Sequence, residues 1–110
     1  MLFNEDVVLK FTGGDREIAK SITDIFSKEC GNYISGIKSS LENQDCEQLK
    51  EFFHKIKTSS GFSGSTLLEK ESEVLFILAE KNDLESVKIK CQTYLTNLAE
   101  LNSILEKHVW

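Results

Sequence analysis

The end of the chain carries an apolar pattern that leaves little choice of fold. Seven apolar side chains recur there at alternating steps of three and four residues: Leu84, Val87, Cys91, Tyr94, Leu98, Leu101 and Leu105. Such steps place the side chains on one face of an α-helix, which must be buried against other helices. The 110 residues also include no proline, so long helices meet no enforced break. The sequence therefore predicts an all-α protein.

Capping residues divide the rest of the chain into further helices. Side chains that cap helix N-termini precede each apolar stretch. The predicted N-caps are Asn4, Asp15, Asp45, Ser65 or Thr66, and Asp83. The helix after Asp15 carries a long apolar stripe that we predict to be core: Ile18, Ile22, Ile25, Phe26, Tyr33, Ile37 and Leu41. The helix after Asp45 carries a shorter one: Leu49, Phe52, Phe53, Ile56 and Ser60.

The run "VLFILA" in the next stretch is compatible with a buried strand, but its flanks "EKESE" and "EKND" favour a helix. Four long helices joined by short turns predict an antiparallel up-down bundle with a short additional N-terminal helix. At this length we expect residues 1–110 to form a single domain.

Charge and composition exclude several classes of function. The formal net charge is -5, and lysines alternate with acidic residues along the chain. A nucleic-acid or polybasic membrane surface needs a concentrated basic face, which is missing here. No apolar run approaches the roughly 20 residues of a membrane span, and the first residues do not resemble a signal peptide. We therefore expect a cytoplasmic protein.

The three cysteines predict neither a disulfide framework nor a metal site. Cys30, Cys46 and Cys91 are widely spaced, and only two histidines are present to complete a zinc site. We expect three free thiols, buried or half-buried, and no bound metal.

His54 stands out because helical spacing predicts that it is exposed. At about 100° per residue it falls roughly opposite the apolar side of its helix, with Lys50 and Lys57 one turn away on either side. Gly61 is predicted on the same face, where a missing side chain would clear space beside the imidazole. The stretch thus predicts a cleared, positively biased surface that favours an anion. The alternative is an ordinary solvated surface histidine.

A neutral imidazole attacks phosphorus without prior activation by a base, because one ring nitrogen carries a free lone pair at neutral pH. A cysteine–histidine hydrolase is a poorer interpretation, since Cys46 lies about 80° away on the helical wheel and two turns back. His108, near the end of the chain, is expected to be solvated or partly packed.

The stretch "EFFHKIKTSSGFSG" resembles the central motif of histidine-containing phosphotransfer (HPt) domains of multistep phosphorelays. That motif is a histidine, any residue, Leu or Ile, Lys, Gly and two small residues, with a glycine ten positions after the histidine. The corresponding residues here are His54, Lys55, Ile56, Lys57, Thr58, Ser59 and Ser60, followed by Gly61 and Gly64. The likeness extends over roughly residues 7–83.

The resemblance implies a four-helix bundle in which His54 is phosphorylated on Nε2. It would accept the phosphoryl group from an aspartate of one receiver domain and pass it to another. Lys57 would help neutralise the phosphate, Lys50 would add positive charge, and Gly61 and Gly64 would permit close docking. The partners implied are response-regulator receiver domains and a hybrid sensor kinase. The domain would be a monomeric carrier rather than an enzyme, without a cofactor of its own, and the receiver would supply Mg²⁺.

Thr58 departs from the motif, which has glycine at that position. Its hydroxyl could hydrogen-bond the phosphoryl group or the ring, or its bulk could hinder some partners. The alternative function is a helical interaction module that binds receiver domains without being phosphorylated.

Overall fold

The computed structural model describes residues 1–110 as five helices and no strand, which confirms the all-α prediction. Their bounds are α1 Glu5–Thr12, α2 Arg16–Glu42, α3 Cys46–Phe62, α4 Thr66–Glu80 and α5 Leu84–Lys107. None of the five combines the length and apolar character that crossing a bilayer requires.

Each helix begins at a residue that the sequence predicts as its N-cap. The side chains of Asn4, Asp15, Asp45 and Asp83 all accept a hydrogen bond from a backbone N–H of the first turn. For α4 the cap is Ser65 rather than Thr66, and its side chain accepts from the Leu68 N–H at 3.2 Å. These contacts satisfy backbone donors that have no partner inside the helix, and so they set where each helix starts.

The four long helices close into a ring around one core. Helix α2 packs on α3 and α5, α4 packs on the same two helices, and α1 lies across α2 and α3. Connections of three residues, 43–45, 63–65 and 81–83, reverse the chain between successive long helices. In α5, six of the seven residues of the predicted seam are buried: Val87, Cys91, Tyr94, Leu98, Leu101 and Leu105.

In α2 the predicted core face is wrong at two positions. Ile18 and Ile25 are 49% and 64% exposed, while the smaller Ala19 and Thr23 are buried. The Thr23 hydroxyl donates to the Ala19 carbonyl at 3.1 Å, so a polar side chain is satisfied within its own helix. A pattern of bulky apolar residues cannot detect an inward face made of small ones. The isoleucines point outward instead.

The cysteines are free thiols, as predicted: Cys30 and Cys91 are buried and Cys46 is half-buried. Burial raises the pKa of Cys30 to about 11 and that of Cys91 to about 12. Both thiols are therefore protonated and unreactive at neutral pH.

Gly36 lies where α2 crosses the ring of Phe52 on α3, and a Cβ there would overlap the ring. We expect Gly36→Ala to lower the free energy of unfolding by about 1–2 kcal/mol, because overpacking outweighs the gain in helix propensity. Gly31, in the same helix, faces open space. Gly31→Ala should therefore raise the free energy of unfolding, by up to about 1 kcal/mol. Urea unfolding of both variants measures this, and changes of the same sign would contradict the close contact.

The end of the chain packs on its beginning in an arrangement that we call the C-terminal clasp: Phe3, Glu5, Arg16, His108 and Trp110. Glu5 Oε1 accepts a hydrogen bond from Arg16 Nη1 at 2.9 Å and lies 3.2 Å from His108 Nε2. The His108 ring lies edge-on to those of Phe3 and Trp110, with centroids 5.0 and 4.4 Å away. His108 is therefore partly packed, one of the two environments expected for it.

The hydrogen bond from Arg16, and next the one from His108, hold the pKa of the Glu5 carboxyl below its ordinary value. A carboxyl with a lowered folded-state pKa stabilises the fold while it is ionised. Its contribution is therefore present above the unfolded-state pKa of about 4.3 and is lost as the pH falls through the folded-state value.

Candidate functional site

His54 is exposed on α3, as the helical wheel predicts. Its ring faces Phe76 of α4, with the ring centroids 6.0 Å apart, and the two line a shallow hollow with Lys50 and Glu51. Neither ring nitrogen makes a hydrogen bond within the chain. The side-chain hydrogen bonds nearest to His54 along the sequence are made by the Lys50 ammonium group and the Ser59 hydroxyl. The imidazole is thus held by packing, and its nitrogens are open to an incoming group.

We call the strip formed by the exposed His54 and Thr58 and the half-buried Lys50 and Lys57 the His54 face. Its charge differs from the prediction, because both lysines are paired with carboxylates. Lys50 Nζ lies 3.4 Å from Glu47 Oε1, and Lys57 Nζ forms an ion pair with Glu73 of α4. The positive bias is therefore smaller than predicted, because each ammonium group has a carboxylate partner. The wheel of α3 could not include Glu73, which belongs to α4, whereas Glu47 belongs to α3 itself.

Gly61 and Gly64 are both buried, so the prediction that Gly61 is exposed is wrong. A Cβ at Gly61 would collide with the carboxylate of Glu69. A Cβ at Gly64 would lie 2.8 Å from the Asn4 carbonyl oxygen and 3.0 Å from the Phe3 ring. The chain itself fills the space at Gly64, whereas Gly61 lines a small surface depression with Thr58 and Glu69. The suggested docking role of both glycines stays a prediction.

Thr58 is exposed one turn after His54, as predicted. It lies between two depressions, a small one toward Glu69 and a larger one toward α2. Nothing in the fold decides between its two suggested roles, which stay predictions.

The depression toward α2, which we call the apolar groove, is a feature that the sequence reasoning missed. Its apolar lining residues are Ile22, Ile25, Phe26, Tyr33 and Phe62. Phe62 is 43% exposed and meets Phe11 of α1 edge-to-face, with centroids 4.7 Å apart. Lys55, Thr58 and Ser59 of α3 also line the groove, so apolar surface extends to the His54 face. The sequence signal that could have predicted the groove is the pair Ile22 and Ile25, which the apolar pattern assigned to the core.

Two residues of α4 also escaped the sequence reasoning, namely Glu73 and Phe76, which meet Lys57 and His54. The spacing of three residues between them, which puts both on one face of α4, was visible in the sequence. The sequence does not show which face of α4 meets α3.

The fold is that of a known class of helical bundle. The structure resembles the crystal structure of histidine-containing phosphotransfer protein B (HptB) from Pseudomonas aeruginosa PAO1, with a TM-score of 0.84 at 15% sequence identity. The match covers 96% of this chain and 91% of that one. No protein-family model matches the sequence, and a search of curated proteins finds no match. The likeness confirms the predicted HPt fold, while the roles of the individual site residues stay predictions.

Proposed function

We propose that this protein is a phosphorelay carrier that accepts a phosphoryl group on His54 from a receiver-domain aspartate and passes it to another. The observation that carries the proposal is the position of His54: exposed, without a hydrogen-bond partner, on a bundle with the fold of a histidine-containing phosphotransfer protein. The HPt-like motif around it adds support from the sequence.

The transfer needs one nucleophilic nitrogen from this chain. The Nε2 lone pair of the neutral imidazole attacks the phosphorus of a phosphoaspartate. The N–P bond forms as the O–P bond breaks, and the aspartate carboxylate leaves with the bonding electrons. Attack by the aspartate of a second receiver reverses these changes and restores the imidazole. We expect Mg²⁺ bound by the receiver to balance charge on the phosphoryl oxygens.

The apolar groove supports this proposal because a carrier must hold its partner against the histidine. Ile25 and Phe62 expose apolar surface beside the His54 face. Apolar surface at the centre of an interface, with polar groups around it, is the usual composition of a docking site. We infer that a receiver domain covers the groove while its aspartate reaches His54.

The remaining parts of the proposal are expectations from the sequence pattern and from the resemblance to HPt domains. They are a cytoplasmic location, a hybrid sensor kinase upstream, a monomeric state and dependence on receivers for catalysis.

The test is transfer of radioactive phosphate from receiver domains of the same organism, each labelled with acetyl phosphate. We expect the wild-type chain to acquire label that is labile in acid and stable in base, as phosphohistidine is. His54→Gln should acquire none while keeping the helical circular dichroism of the wild type. His108→Gln is the matched control, because His108 is the only other histidine, and it should keep the label.

Two results would contradict the carrier function. One is the absence of label from the wild type with every receiver, and the other is label that persists in His54→Gln. Receiver binding without label would favour the alternative, a receiver-binding module that is not phosphorylated.

A further inference from the structure

One of the two cations a single turn from His54 is already paired with a carboxylate of another helix. Lys57 lies one turn after His54 on α3, and its ammonium group is paired with the Glu73 carboxylate of α4. The two side chains are 42% and 45% exposed, so neither is locked in place by burial. Such a half-exposed pair is weak enough to exchange partners.

The position of Glu73 relative to His54 follows from its own helix. Glu73 and Phe76 are three residues apart, hence on the same side of α4. Phe76 faces the His54 ring, and Glu73 reaches Lys57. The carboxylate therefore borders the space that a phosphoryl group on His54 would enter.

We propose that Glu73 is a positioning residue that competes with the phosphoryl group for Lys57. This inference rests on the proposed carrier function. In the unphosphorylated protein Glu73 holds Lys57. When the N–P bond to His54 forms, the Lys57 ammonium turns from Glu73 to a phosphoryl oxygen, and no proton moves between them.

Breaking the Lys57–Glu73 pair makes phosphorylation of His54 less favourable than it would be with a free lysine. The pair forms again when the phosphoryl group leaves for the next aspartate. Glu73 would therefore bias the equilibrium toward release of the phosphoryl group, which suits a carrier whose His54 must pass that group to the next aspartate.

The experiment measures the equilibrium partition of label between His54 and a receiver that labels the wild type. We expect Glu73→Gln to shift it toward His54 by roughly three- to tenfold, the effect of removing one nearby carboxylate at a half-exposed site. Glu100→Gln, which changes the net charge equally at an exposed position on α5, should leave it unchanged.

A double-mutant cycle tests whether Glu73 acts through Lys57. With Lys57→Ala as the background there is no pair to break, so Glu73→Gln should shift the partition much less, by the direct repulsion between carboxylate and phosphate alone. An undiminished effect in that background would overturn the competition.

A second measurement needs no phosphorylation. The ¹⁵N and ¹H signals of the Lys57 ammonium group should move in Glu73→Gln and stay in place in Glu100→Gln; an unmoved Lys57 signal would overturn the ion pair in solution.

The two proposals fail in different ways. Absence of label from wild-type His54 would remove both. A labelled wild type whose partition is the same in Glu73→Gln would overturn only the role of Glu73.

Discussion

Gly64→Ala is expected to lower the free energy of unfolding by about 2–5 kcal/mol, the largest change among the substitutions considered. Gly64 has φ +92°, a left-handed conformation that strains a residue with a Cβ by about 1–2 kcal/mol. The new Cβ would also press on the Asn4 carbonyl oxygen and the Val8 side chain. Such overpacking costs about 1–3 kcal/mol and is worst against backbone, which cannot rotate away. Thermal unfolding should show a melting temperature roughly 8–20 °C lower.

Gly13→Ala separates the two causes. Gly13 also has a positive φ, +64°, but a Cβ there would meet nothing within 4 Å. We expect it to cost only about 1 kcal/mol, the conformational part alone. Equal losses in the two variants would mean that the N-terminal segment does not rest on Gly64.

This contact gives Gly64 a structural role that the sequence did not predict. The HPt-like motif identifies a glycine ten residues after the histidine, and the resemblance assigns it to partner docking. In the structure its carbonyl accepts the Asn4 N–H at 2.8 Å, joining the end of α3 to the start of the chain. A contact between residues 60 positions apart does not produce a periodic pattern in the sequence from which it could be predicted. The same limit applies to Gly61 and its neighbour Glu69.

What the sequence did predict rests on local physics. The caps Asp15, Asp45 and Asp83 act on N–H groups two or three residues away, so their spacing alone identifies them. The exposure of His54 follows from the 3.6-residue period of α3. Both depend on neighbours within one helix.

The errors arise where a second helix decides the environment. In α2 the small residues Ala19 and Thr23 form the inward face, which a search for bulky apolar residues misses. At the site, Glu73 of α4 pairs with the Lys57 ammonium group that a phosphate would meet. The sequence of α3 contains no sign of this pair. Which side of α4 faces α3 is set by packing of the whole bundle. That is why Glu73 and Phe76 emerge only from the structure.

The C-terminal clasp is another contact between distant parts of the chain, and Trp110 is its outermost anchor. The indole Nε1 donates to Thr23 Oγ1 at 3.2 Å, and the ring meets Phe3 edge-on at 6.1 Å. Phe3 in turn lies against Gly64. Trp110 therefore supports the segment that holds the end of the His54 helix.

We expect Trp110→Ala to lower the free energy of unfolding by about 2–3 kcal/mol, less than a fully buried tryptophan would, because the ring is only half-buried. Val109 is the matched control: it is 88% exposed, so Val109→Ala should change stability by no more than about 0.5 kcal/mol. Urea unfolding monitored by helical circular dichroism measures both. Similar stabilities for the two variants would show that the clasp contributes nothing. Because no clasp residue belongs to α3 or lines the hollow at His54, phosphate labelling of Trp110→Ala well below its melting temperature should match the wild type.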